Sequence, residues 1–301
     1  MSAMKNSPAT LPDSPDWLET QYNNRKRVPE AAGLLERWAA ESAATRARLK
    51  PDAALPYGSW GEKLDVFGAE ERKKSRYPAP VFVFIHGGYW RSLTRSDHSF
   101  AVEALVEAGA CAVVPDYTLC PTVTIPDIAR QMAEAVVWTY QNIARYGGDP
   151  QEIVVAGHSA GGHLTAMMMG CNWKQLDPAL PANLATKGLS ISGLYDLAPL
   201  QNVPFLKGDL RITQDHIDQA SPMHWPRPPH GELHLAVGGD ESEEFLRHQA
   251  ALAQAWGESR VPVAKVLPGL HHFNIVETLN QPGSVLHTMA LDLLGLSPTL
   301  R

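Results

Sequence analysis

The sequence predicts an α/β fold, a mostly parallel central sheet with helices on both faces. Three observations carry that expectation. After Pro51, short apolar runs alternate with amphipathic stretches, the pattern of a doubly wound sheet. Several of those runs are continuously apolar, as strands buried on both faces of a parallel sheet must be. One of them, Ile153–Ala156, leads into a glycine-rich turn, Gly157–Gly162, that opens a helix.

The elements follow in chain order. The first dozen residues are rich in Pro and Ser and are expected to be loosely draped. From Pro29 to Lys50, Leu34, Leu35 and Trp38 share one face opposite charged residues, which predicts a helix. Pro29 suits its opening turn, where a missing N–H costs nothing. Leu64–Phe67 reads as a strand, followed by a mixed-charge surface turn at Glu70–Arg76. Buried strands are expected at Val81–Ile85, Cys111–Pro115, Ile153–Ala156, Gly188–Ser192, Leu233–Val237 and Val263–Leu267. Helices are expected at Ser99–Glu107, Asp127–Arg145, Ala160–Met169, Ser242–Gly257 and Gly283–Leu294. Ala198–Gly231 breaks the rhythm. It is longer than an ordinary connection and contains SPMHWPRPPHG, so it is expected to run over the carboxyl edge of the sheet as a cap or lid. The expected organisation is an N-terminal arm and helix over residues 1–50 and one α/β domain over 51–301, with the excursion at 198–231.

Composition narrows the function. The chain of 301 residues is 44% hydrophobic and 19% charged, so it can bury a core without disulfides or metal. A net charge of −6 with no basic tail argues against nucleic acid or an anionic membrane as partner. Cys111, Cys120 and Cys171 form no C-x-x-C pair. The first residues lack the apolar core of a signal peptide, and no run is long enough to span a bilayer, so a cytoplasmic location is expected. Metal ligation is not expected: H-E-x-x-H is missing, and the adjacent His271 and His272 would point apart on a helix or strand. Gly157–Gly162 lacks the lysine of a phosphate-binding loop and the spacing of a dinucleotide fingerprint. The expectation is therefore no cofactor and a small-molecule substrate as partner, with a homodimer left open.

The chemistry is written in four turns. Gly157-His158-Ser159-Ala160-Gly161 is a G-x-S-x-G pentapeptide between a strand and a helix. In that context Ser159 is the expected nucleophile, on a sharp turn that needs small neighbours. His158 is expected to pack or hydrogen-bond beneath it. His86-Gly87-Gly88-Tyr89-Trp90 follows an earlier strand and is the expected second source of oxyanion donors. The amides of Ala160 and of Gly87, Gly88 and Tyr89 are the candidates. A serine needs a general base, and the chain order of such a site is Ser, acid, His. Asp240, after the strand Leu233–Val237, is the favoured acid, with Asp196 and Glu241 as alternatives. His272, after the last strand, is the favoured base, with His271 in reserve.

Taken together, HGGYW, GHSAGGHL, SGLYDL, GGDESEEFLRHQ and HHFNIVE resemble the arylformamidase (kynurenine formamidase) branch of the α/β-hydrolase superfamily, which is related to hormone-sensitive-lipase-like esterases. QYNNRKRVPE and LPYGSWGEKLDVF are similar to its bacterial members, so the resemblance runs from about residue 17 to 290. It implies the α/β-hydrolase fold and the triad Ser159, Asp240 and His272. It also implies hydrolysis of an aryl formamide such as N-formyl-L-kynurenine, with a carboxylesterase as the alternative. A non-catalytic ligand-binding protein of this fold would typically lack a triad member, and here all are present. Two departures stand out. Tyr89 and Trp90 replace the third glycine usual in the lipase-like esterases, which favours the formamidase branch. Asp240 is followed by Glu241-Ser242-Glu243, an unusually acidic stretch. For an aromatic leaving group, Tyr89 and Trp90, with Phe205 and Trp225 from the excursion, are candidates for a flat apolar wall.

Overall fold

The computed structural model describes residues 14–68 and 77–297. The first dozen residues and the Glu70–Arg76 turn lie outside the described residues. Eight strands are seen among the described residues: β1 (Asp52–Pro56), β2 (Lys63–Phe67), β3 (Ala79–Ile85), β4 (Cys111–Pro115), β5 (Gly148–His158), β6 (Lys187–Ile191), β7 (Glu232–Gly238) and β8 (Ala264–Leu267). They form one sheet in the order β1-β2-β4-β3-β5-β6-β7-β8. β2 runs antiparallel to both β1 and β4, and every later pairing is parallel.

The central strands explain the continuous apolar runs. On β3, Val81, Val83 and Ile85 enter one core while Phe82 and Phe84 enter the other. β5 divides Ile153 and Val155 from Val154 and Ala156 in the same way. A strand that feeds two cores cannot alternate with polar residues. Chain order reverses direction at β3 and β5, and at such a switch point the loops leaving the carboxyl ends diverge and open a crevice.

The edges differ from the sequence expectation. β1 was not expected; its residues are mostly exposed, so no apolar pattern marks it. A bulge between Asp52 and Leu55 and a bond from the Ala54 amide to Asp65 (2.7 Å) fix it to β2. β8 was expected to be buried on both faces, yet it is the opposite edge, and Val266 is 53% exposed. Helix ends move by a few residues. The helix expected from Asp127 begins at Ile125, because Thr124 and Asp127 form a capping box that starts it two residues earlier.

The helix Ala31–Leu49 packs Leu34 and Trp38 into the same core as Phe84, Phe100 and Phe273. The excursion after β6 folds into the short helices Pro204–Leu210 and Gln214–Ala220, flanked by single 3-10 turns. Its Leu206, Leu210 and Ile217 join the other core.

Candidate active site

The turn at Ser159 is dictated by sterics. Ser159 sits at φ 59°, ψ −117°, between the end of β5 and the first turn of the helix Ala160–Met169. A Cβ on Gly157 would lie 2.3 Å from the Gly161 carbonyl oxygen, and one on Gly161 would lie 2.0 Å from the Ile85 oxygen. Both positions therefore require glycine. The helix Ala160–Met169 is buried along its whole length and is tied to the excursion by His163, whose Nε2–H donates to the Ala220 carbonyl at 2.7 Å.

Ser159 Oγ lies 3.0 Å from His272 Nε2. On the far side of the ring, His272 Nδ1 lies 2.7 Å from Glu241 Oε2. An ionised carboxylate can only accept, so Nδ1 carries the proton and Nε2 is left to accept from the serine hydroxyl. Glu241 is itself fully committed. Its Oε1 accepts from the Ser192 hydroxyl (2.5 Å) and from the Gly238 amide (2.8 Å).

The carboxylate that meets His272 is therefore that of Glu241 and not, as expected, that of Asp240. Asp240 is exposed, and the carboxylate on His272 Nδ1 belongs to its neighbour Glu241. The Asp240 amide donates to the Leu270 carbonyl at 3.0 Å, a tie that turns its side chain to solvent, and the next residue faces inward. The extra methylene of Glu241 lets its carboxylate reach both the end of β7 and the imidazole. Asp196 is not near the base either; it accepts from the Ala198 amide at 3.0 Å. His271 faces away, 3.5 Å from Glu30, with its Nδ1 accepting from the Phe273 and Asn274 amides. His158 packs beneath the serine as expected, donating from Nε2 to the His272 carbonyl at 2.8 Å.

The loop after β3 approaches the serine closely. A Cβ on Gly87 would lie 3.2 Å from Ser159 Cβ and 3.0 Å from the His158 oxygen. Gly88 has φ +107°, and Tyr89 and Trp90 also adopt positive φ, at 51° and 57°. Non-glycine residues there are strained, and such strain persists only where surroundings over-determine it. Here the Arg91 and Ser92 amides donate to Gly88 oxygen (both 3.1 Å), and the Cys120 amide donates to Trp90 oxygen (2.8 Å). The Tyr117 hydroxyl donates to the His86 and Gly87 carbonyls (3.1 and 3.3 Å). Gly87, Gly88 and Tyr89 line the cavity over Ser159. Ala160 is the first residue of its helix, so its amide has no carbonyl one turn back.

A layer of neutral imidazoles supports the loop. His86 stacks on Tyr117 at 4.2 Å and faces His98 at 5.5 Å. Burial pushes the pKa of His86 down to about 4 and that of His98 down to about 3. Burial also holds His158 well below the ordinary range.

The cavity is about 480 Å³. Phe205 lines it and meets Tyr89 edge-on at 5.7 Å. Two expected wall residues lie elsewhere. Trp90 is fully buried and packs edge-on against His163 at 5.0 Å, because the positive φ at Tyr89 and Trp90 turns it into the core. Trp225 lies over Gly170, in a separate surface groove with Cys171 and Leu176. The missed residues come from the N-terminal helices. Asn24, Leu35 and Trp38 line the cavity, and Trp38 donates from its indole to Glu277 at 2.8 Å. The Tyr89 hydroxyl donates to the Tyr22 carbonyl at 2.6 Å, so the same segment anchors the loop. Trp38 was visible as one face of an amphipathic helix, but nothing local says which surface that face covers. Among the described residues no group of His, Cys, Asp and Glu could hold a metal ion, and no helix is long and apolar enough to cross a membrane.

The fold and this hydrogen-bonded chain define an α/β-hydrolase of the serine-hydrolase type, arylformamidase-like and related to esterases. Residues 64–222 match the BD-FAE family, and the chain belongs to that family. The kynurenine formamidase of Danio rerio is 27% identical over 94% of this chain and 98% of its own length. Esterase LipQ of Mycobacterium tuberculosis is 30% identical, over 84% of this chain and 62% of its own. Among solved structures, a Silicibacter protein whose suggested activity is that of a thioesterase superposes with a TM-score of 0.78 at 30% identity, covering 92% of this chain and 99% of that one.

Proposed function

We propose that this enzyme is an arylformamidase that cleaves N-formyl-L-kynurenine, or a related aryl formamide, to the arylamine and formate. The observation that carries the chemistry is the continuous chain from Ser159 Oγ through His272 to Glu241. His272 Nε2 takes the serine proton as Oγ attacks the formyl carbon, and the carbonyl oxygen becomes an oxyanion held by the amides of Ala160 and the Gly87–Tyr89 loop. Each such donor is worth a few kcal/mol in the transition state. Collapse breaks the C–N bond, and His272 gives the proton to the departing nitrogen. Water, deprotonated by the same ring, then hydrolyses the formyl-serine. Glu241 fixes the tautomer and stabilises the imidazolium in both halves.

Two observations support the formamide. The kynurenine formamidase relative aligns over nearly both full lengths. The second is the aromatic edge of Tyr89 and Phe205 in the cavity, which suits an aryl leaving group beside a very small acyl group. A carboxylesterase is the second reading, favoured by the 30% identity to an esterase. The test is kcat/KM for N-formyl-L-kynurenine beside that for phenyl acetate in one buffer. A preference for the formamide of about 100-fold, equivalent to about 2.7 kcal/mol of transition-state binding, supports the proposal. Preference for the acetate selects the esterase.

A further inference from the structure

We infer that Arg91 and Asp209 are specificity-determining residues, a charged pair that receives the zwitterionic head of an amino-acid substrate at the cavity over Ser159. The inference deepens the formamidase reading and rests on the same cavity being the substrate's. Arg91 stands on the loop after β3, two residues beyond Tyr89, and Asp209 on the excursion helix Pro204–Leu210. The two side chains are ion-paired across the mouth of the cavity that contains Ser159, and both line it. They remain 30% and 43% exposed, so a pair of this kind contributes little to stability. Its position is better explained by recognition.

The chemistry is complementary. An α-amino acid presents a carboxylate and an ammonium on one carbon. Arg91 and Asp209 present the opposite charges side by side. When the ligand's carboxylate takes the guanidinium and its ammonium takes the Asp209 carboxylate, every charge keeps a partner and none is stranded. The Arg91 guanidinium also lies 5.6 Å over the Phe205 ring, which holds it in place. Phe205 in turn meets Tyr89. An aromatic wall therefore runs from the oxyanion loop to the charged pair, in the order aryl group then amino-acid head that the substrate would need. Arg25, exposed, lines the same mouth and adds attraction for the carboxylate.

The test is calorimetric binding of L-kynurenine, its decarboxylated analogue and its deaminated analogue to the full chain. The wild type should bind L-kynurenine at least about tenfold more tightly than either analogue, the factor that one charged contact supplies. Arg91→Gln should erase the preference over the decarboxylated analogue, Arg91→Lys should keep part of it, and Asp209→Asn should erase only the preference over the deaminated one. Melting curves confirm that each variant is folded. Equal binding of the three ligands by the wild type, or proportional weakening of all three in the variants, would overturn the inference. Turnover of N-formyl-L-kynurenine is scored apart. Selective binding without turnover would remove the formamidase reading and leave the zwitterion site standing.

Discussion

The turn after β5 and the turn after β7 each bring one functional side chain to the carboxyl edge of the sheet, and they are held by different forces. At the first, hard contacts decide: the Gly157 and Gly161 positions leave no room for a Cβ, and Ser159 is forced to positive φ. At the second, hydrogen bonds from distant elements decide. Ser192 from the end of β6, the Gly238 amide and the His272 ring all converge on Glu241. The first turn is written in five consecutive residues. The second is assembled from three separate loops, and its key side chain has an acidic neighbour one residue away.

The largest effect should follow from removing the group that the first turn carries. Ser159→Ala should lower kcat for phenyl acetate by at least about 10³-fold while the melting temperature stays near that of the wild type. A folded variant with near-normal turnover would end the serine mechanism. Breaking the first turn sterically should act on the fold instead. Gly161→Ala places a Cβ 2.0 Å from the Ile85 oxygen, and this oxygen belongs to a central strand that cannot yield. Loss of more than about 4 kcal/mol, or no soluble protein, is expected. Denaturant titration measures it.

The second turn should be softer. Ser192→Ala removes one of three bonds to Glu241, and kcat should fall by about tenfold, the value of one charge-assisted hydrogen bond. An unchanged kcat would mean that Gly238 and His272 suffice to hold the carboxylate. The smallest effect at neutral pH comes from four buried imidazoles, two beneath the oxyanion loop (His86 and His98), His163 in the helix after Ser159, and His248 beside Tyr22 and Tyr195. His86, His98, His163 and His248 are held neutral by burial, with pKa values near 4, 3, 4 and 4. Their stabilising contribution is complete above the unfolded value of about 6.5 and is lost as pH falls toward those folded values. Unfolding between about pH 6 and 4.5 should therefore take up protons, at about 1.4 kcal/mol per pH unit for each ring. Urea titrations across that range read the slope; a flat profile would show that the rings are charged in the folded state.

The same contrast explains what could be read from the sequence. The parallel strands, the serine turn, the glycine loop and the histidine that meets Ser159 all rest on local patterns, and they were legible. The carboxylate that meets His272 was misplaced by one residue, because Asp240 and Glu241 occupy the same turn and only the Leu270 and Ser192 contacts decide which faces inward. Trp38 and Asn24 in the cavity wall, and the burial of Trp90, depend on how helices and a strained loop dock. β1 was missed for a related reason: an edge strand needs apolar residues on one face at most, so composition does not mark it. β8 was found as a strand, and only its burial on both faces was misjudged, because sequence does not say which strand ends the sheet.

The most direct test of the account compares Glu241→Gln with Asp240→Asn, measuring kcat for phenyl acetate in both. Glu241→Gln keeps the shape but cannot hold the correct imidazole tautomer, and a fall of about 10³- to 10⁴-fold is predicted. Asp240→Asn changes an exposed side chain and should stay within about twofold of the wild type, as a surface substitution does. A large loss in Asp240→Asn, with Glu241→Gln still active, would contradict the account.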